Sequence, residues 1–155
     1  MRLSFVLPLA FLALAACHPQ GDGNPAVDDV RVRLPAVEGR PGAGYFTIRG
    51  GSKDDRLTRI DSAVVEKIEL HEMAMDGGVI RMRELTDVPV PAGTTVSFAQ
   101  GGNHAMLFGI DPRIVPGTGI PMLLTFASGA RIEVEAKTVA AGDDIGGGQS
   151  EDAHH

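Results

Sequence analysis

The chain has 155 residues, 43% hydrophobic and 22% charged, which is enough for one globular domain with a real core and too apolar for a disordered one. Fourteen Lys and Arg against twenty Asp and Glu leave a net charge of −6, and without a basic run the chain lacks the cationic footprint of a nucleic-acid binder. A single cysteine excludes an internal disulfide framework and any cysteine-rich zinc or iron–sulfur site.

In chain order, residues 1–16 read as an export signal. Arg2 precedes an apolar run from Leu3 to Ala16 that is too short to span a bilayer. The run ends Leu14-Ala15-Ala16-Cys17, which resembles the lipobox of bacterial lipoproteins and implies that Cys17 is lipidated as the first residue of the mature protein. Acyl chains contribute about 0.8 kcal/mol per buried CH₂, so they would anchor the domain to a membrane, in the periplasm. His18 follows the cysteine, rather than the Asp that commonly retains lipoproteins in the inner membrane, which favours the outer membrane. Residues 17–29 are polar and rich in Gly and Pro and are expected as the lipidated cysteine with a flexible tether.

Residues 30–139 form the expected domain. No part of it sustains a helical period of apolar residues. Strands are expected at 30–34, 44–49, 57–65, 67–73, 79–85, 95–98, 104–110, 122–126 and 131–138. Breaks such as DGG, PAGT, QGGN and ASGA between them carry the residues that turns require. Many short strands in this length point to an all-β fold, an antiparallel Greek-key β-sandwich. Residues 140–155 are acidic and Gly-rich and read as a disordered tail, with His154 and His155 incidental.

The chemistry-bearing residues are histidine and methionine. The domain has two histidines, and each is followed two positions later by methionine: His71-Glu72-Met73 and His104-Ala105-Met106. Residues two apart on a strand share a face, so an imidazole and a thioether from one strand can converge on one ion. Met82 adds a sulfur from the strand beyond the DGG turn. Thioethers are soft neutral ligands that suit Cu(I) and serve Ca²⁺, Mg²⁺ and Zn²⁺ poorly. Met73 lies on the correct face as an auxiliary or shielding residue, whereas Met75 and Met122 read as core filler.

The spacing His71 to Met82 to His104 to Met106, H-x10-M-x21-H-x-M, resembles the copper-binding motif of the PCuAC family of periplasmic copper chaperones. The segments GYFTI, ELHEMAMDGGVIRMREL, PAGTTV and GGNHAMLFGI are similar to that family as well, and the resemblance covers about residues 30–138. It implies a cupredoxin-like β-sandwich, a monomer, holding one Cu(I) through His71, Met82, His104 and Met106. It also implies partners: an accepting cuproprotein, with the copper A site of cytochrome c oxidase as destination, often alongside a thioredoxin-fold copper protein. The alternative within binding is copper buffering or resistance, in which the ion is stored. An electron-transfer cupredoxin would need a cysteine on copper, and the domain has none. An enzyme is not expected, since no serine lies in a G-x-S-x-G context and no carboxylate pair stands out beside the histidines.

Overall fold

In the computed structural model, which describes residues 23–145, the chain forms ten strands and, among the described residues, no helix. They are β1 (Ala26–Arg33), β2 (Gly42–Arg49), β3 (Asp55–Asp61), β4 (Val65–Asp76), β5 (Val79–Leu85), β6 (Val88–Val90), β7 (Thr95–Phe98), β8 (His104–Ile110), β9 (Gly119–Phe126) and β10 (Arg131–Val139). The hydrogen-bonded order is β5-β4-β8-β2-β1-β10-β9-β3-β6. β2 divides one edge between two partners: Gly42, Ala43 and Gly44 pair with β8, and Phe46 to Arg49 pair with β7.

Alternation along the strands builds the core. Ile120, Met122, Leu124 and Phe126 of β9 point inward at every second position and are at most 2% exposed. They join Val32, Ile48, Leu57, Val90 and Leu107 in one cluster to which every strand except β5 contributes. Phe46 and Phe98 stack within it, ring centroids 4.2 Å apart. This is the expected all-β sandwich. One pair departs from the antiparallel pattern, because β1 and β10 run side by side in parallel, Arg31 opposite Lys137.

The structure corrects several boundaries. β1 begins at Ala26, inside the expected tether: Ala26, Val27 and Asp28 pair with Arg49, Ile48 and Thr47. The acidic pair that looked like loop is accommodated by a bulge, with Asp29 at φ 54° and Asp28 bonded to Arg49 at 2.9 Å. The expected strand 57–65 is cut by a turn in which the Ser62 hydroxyl accepts the Val64 N–H. β6 was not expected; three residues cannot show a period, and its central Pro89 read as a break. Proline is tolerated there because β6 is an edge strand with β3 as its partner. The first residues of the expected disordered tail are also tied down, since Arg33 donates to the Asp143 carbonyl at 3.2 Å and Ala140 N–H to the Asp143 carboxylate at 3.0 Å. The export signal, Cys17 and residues 146–155 lie outside the described residues.

Candidate metal centre

β4 organises the site. Up to His71 it pairs with β8 along one edge and from Leu70 onward with β5 along the other, so that Leu70 and His71 have partners on both sides. His71 lies directly opposite His104, the first residue of β8. Beyond this point β4 and β5 continue as a two-stranded ribbon closed by Gly77 and Gly78, at φ 55° and 82°. Positive φ at both turn residues is what a two-residue type I′ hairpin demands, and glycine supplies it without a steric penalty.

Register decides which side chains meet. Leu70 and Ala105 are partners on the core face. The other face therefore carries Glu69, His71, Met73 and Met75 from β4, Glu84, Met82 and Ile80 from β5, and His104 and Met106 from β8. His71 and His104 are nonetheless buried, 9% and 7% exposed, with ring centroids 5.8 Å apart. Met82 reaches across β4 and brings its sulfur to 3.4 Å from His104 Nε2. Half-buried Met106 lies opposite Glu69 on one side and Ala43 on the other. Met73 lies opposite Met82.

Hydrogen-bond partners assign the tautomer of each ring. His104 Nδ1–H donates to the Gly102 carbonyl at 3.0 Å, so Nε2 of the neutral ring carries a bare lone pair. The thioether opposite it is an acceptor as well. In that tautomer the 3.4 Å contact sets two electron-pair donors facing one another. His71 Nε2–H donates to Glu69 Oε2 at 2.9 Å, and its Nδ1 is buried without a hydrogen-bond partner among the described residues. The same Gly102 carbonyl accepts the Met73 N–H at 3.2 Å, joining the ribbon to the His104 ring.

Glu69 is the residue that sequence reasoning missed. A single carboxylate rather than a pair stands beside the histidines: Glu69 is 13% exposed at its side chain and bonds both His71 and Lys67. Lys67 chiefly, and then His71, hold its carboxyl below the ordinary glutamate value against a smaller opposing effect of burial. The spacing Glu69-x-His71 on a strand was the available signal. Met75 is corrected too: at 69% exposed it is no core filler, whereas Met122 is. Among the described residues, no group of three or more His, Cys, Asp or Glu is placed to hold a metal ion. The donors that gather here are imidazole and thioether, a set suited to a soft monovalent ion.

Residues 25–138 match the family model described as "Putative lipoprotein LpqE-like". A curated relative, the "Putative lipoprotein Lxx21020" of Leifsonia xyli subsp. xyli (strain CTCB07), is 33% identical over 70 residues, 44% of this chain. The matched stretch is 42% of that relative's length. Among solved structures, the copper-bound PCuAC domain from PmoF2 superposes with a TM-score of 0.64 at 20% identity, over 76% of this chain and 94% of that one. The solution structure of CuI-DR1885 from Deinococcus radiodurans gives 0.59 at 20% identity, over 81% and 82%. Its apo form gives 0.57 at 21% identity, over 90% and 95%. With the family model covering nearly all of the described strands and the PCuAC domains sharing their arrangement, the chain belongs to the LpqE-like lipoprotein family and has the PCuAC fold.

Proposed function

We propose that this protein is a copper chaperone, anchored to a membrane through lipidated Cys17, that carries one Cu(I) on His71, Met82, His104 and Met106. The contact between His104 Nε2 and Met82 Sδ carries the reading. Bonds of about 2.0 Å to nitrogen and 2.3 Å to sulfur at a tetrahedral d¹⁰ ion place the two donors about 3.5 Å apart. The observed separation is 3.4 Å. The two donors thus already stand at the spacing that an ion between them would impose. The orphaned Nδ1 of His71 supports the same reading, since a buried ring nitrogen without a partner is costly unless something binds it. The copper-bound PCuAC domain and CuI-DR1885 share the fold that arranges these strands.

All four ligands are neutral, so Cu(I) would keep its charge and bind without displacing a proton. Delivery rather than storage is supported by Met82, which is 52% exposed and offers a face from which an acceptor's ligand can displace it. The acceptor we propose is a cuproprotein of the copper A type, such as cytochrome c oxidase, with a thioredoxin-fold copper protein as co-worker. The family description supports a lipoprotein outside the cytoplasm and carries no preference for the outer membrane. Anaerobic competition against a chromophoric Cu(I) chelator tests the reading. One Cu(I) per chain is expected, with little Zn²⁺ at the same site and no intense blue band on oxidation. A preference for Zn²⁺ over Cu(I) would refute it.

A further inference from the structure

The ribbon beyond His71 has its faces arranged unlike an ordinary surface hairpin. One face is held by the cross-strand ion pairs Glu72–Arg83 and Asp76–Arg81. The other carries Met73 opposite Met82 and Met75 opposite Ile80, with the methionines 36%, 52% and 69% exposed and Ile80 62% exposed. β5 reaches the core only through Leu85 on the opposite face, and none of Met73, Met75, Ile80 and Met82 belongs to the core cluster or packs against it, so these apolar residues do no folding work that would account for them. Three of the four are sulfur donors, and the register places them in a row that runs from the turn to His104.

Resting on the copper reading above, we propose that Met73, Met75 and Met82 form a second, outer site for Cu(I), made of thioethers alone, through which the ion enters and leaves the inner site. Directly opposed Cβ atoms lie about 4.5–5.5 Å apart and diagonal neighbours about 7–8 Å. Methionine has three rotatable bonds beyond Cα, so sulfurs at these spacings can close on one ion. Met82 belongs to both sites, because its sulfur already touches His104 Nε2. The geometry makes this useful. The two imidazoles are buried and Met106 is half-buried, so an incoming ligand can approach the inner ion only from the side of the exposed Met82. An ion that slides outward on Met82 exchanges His104 and His71 for Met73 and Met75 one bond at a time, in view of solvent. It moves as Cu(I) throughout: one neutral ligand replaces another, and neither an electron nor a proton changes hands.

The test compares the wild-type chain with a Met73→Leu/Met75→Leu double variant. Leucine keeps the volume and the apolar surface while deleting the sulfurs, so a face that serves only for hydrophobic docking would be undisturbed. Equilibrium Cu(I) affinity is read by chelator competition, and the rate of Cu(I) transfer to excess chelator by stopped flow. The double variant is expected to keep its affinity within about threefold and to transfer about tenfold more slowly, one decade of rate for the lost exchange ligands. In the wild type, ¹³C-methyl signals of Met73 and Met75 are expected to move when Ag(I), a soft ion without redox chemistry, is added beyond one equivalent. An unchanged transfer rate overturns the relay, and stationary methyl signals overturn the outer site. A variant that loses most of its affinity would place Met73 or Met75 among the inner ligands and overturn it as well. Wild-type protein that takes up no Cu(I) at all would instead remove the chaperone reading on which this one rests.

Discussion

Replacing Glu69 by alanine tests whether the carboxylate beneath His71 prepares the ring for a metal. Glu69 Oε2 accepts the His71 Nε2–H at 2.9 Å, and the two side chains are 13% and 11% exposed. Alanine leaves that N–H buried without a partner, at a cost of about 1–3 kcal/mol. It also frees the ring to turn or change tautomer, and losing such a supporting partner typically lowers metal affinity about 10–100-fold. At about 1.4 kcal/mol per decade that loss of affinity corresponds to about 1.4–2.8 kcal/mol, separate from the folding cost, which free and copper-bound forms share. Glu69→Gln keeps a carbonyl acceptor but removes the charge. Since charge-assisted bonds are about twice as strong as neutral ones, it should cost less, about three- to tenfold. Lys67→Met is the control, because it breaks the other Glu69 ion pair, one whose lysine is 65% exposed and screened, and leaves His71 untouched. Chelator competition gives the affinities, and ¹⁵N shifts of the His71 ring report the tautomer. If Glu69→Ala binds Cu(I) within twofold of wild type while His71→Ala does not, Glu69 has no part in the site.

Met106→Leu should lower Cu(I) affinity with little change in melting temperature, whereas Met122→Leu, in the core at 2% exposed, should leave affinity unchanged. Arg113, bonded to Asp111 through its side chain and its backbone N–H, holds that carboxyl at about 2. A depressed carboxyl stabilises the fold above its unfolded value of 3.8 and loses that contribution as pH falls toward 2, so Asp111→Asn should differ from wild type in thermal stability at pH 6 and converge with it at the acid end. Cys17→Ser should abolish partition of the full-length protein into detergent and its labelling by fatty acid; unchanged partition would remove the lipid anchor.

Much of the site was legible because alternation on a strand is a strong local rule. It placed His104 with Met106 and His71 with Met73 without knowledge of the fold, and strands β5, β7 and β8 fall at their expected limits. What alternation cannot show is which face lies on the core. The segment His71 to Met75 carries methionines on one face in either case, and only the ending of β8 at His104 leaves the ribbon beyond it uncovered. That ending is a matter of tertiary pairing, so Met75 looked like filler. The contact between the proposed ligands Met82 on β5 and His104 on β8 also joins strands that are not neighbours, a relation created by side-chain reach rather than by sequence spacing. β6 escaped notice for a simpler reason: three residues around a proline have no period to read.

The ten residues between His71 and Met82 run up one arm of the ribbon, around the two-glycine turn and part-way down the other. Their number is therefore a parity rule rather than a fixed length. One residue added to a single arm would turn every side chain below it to the opposite face, presenting Arg81 or Arg83 where Met82 now stands. One residue added to both arms at the tip would lengthen the ribbon and leave Met82 opposite Met73. Descendants of this chain can thus vary the reach of the hairpin in paired steps without moving the ligand, while a single-residue insertion in either arm should be purged.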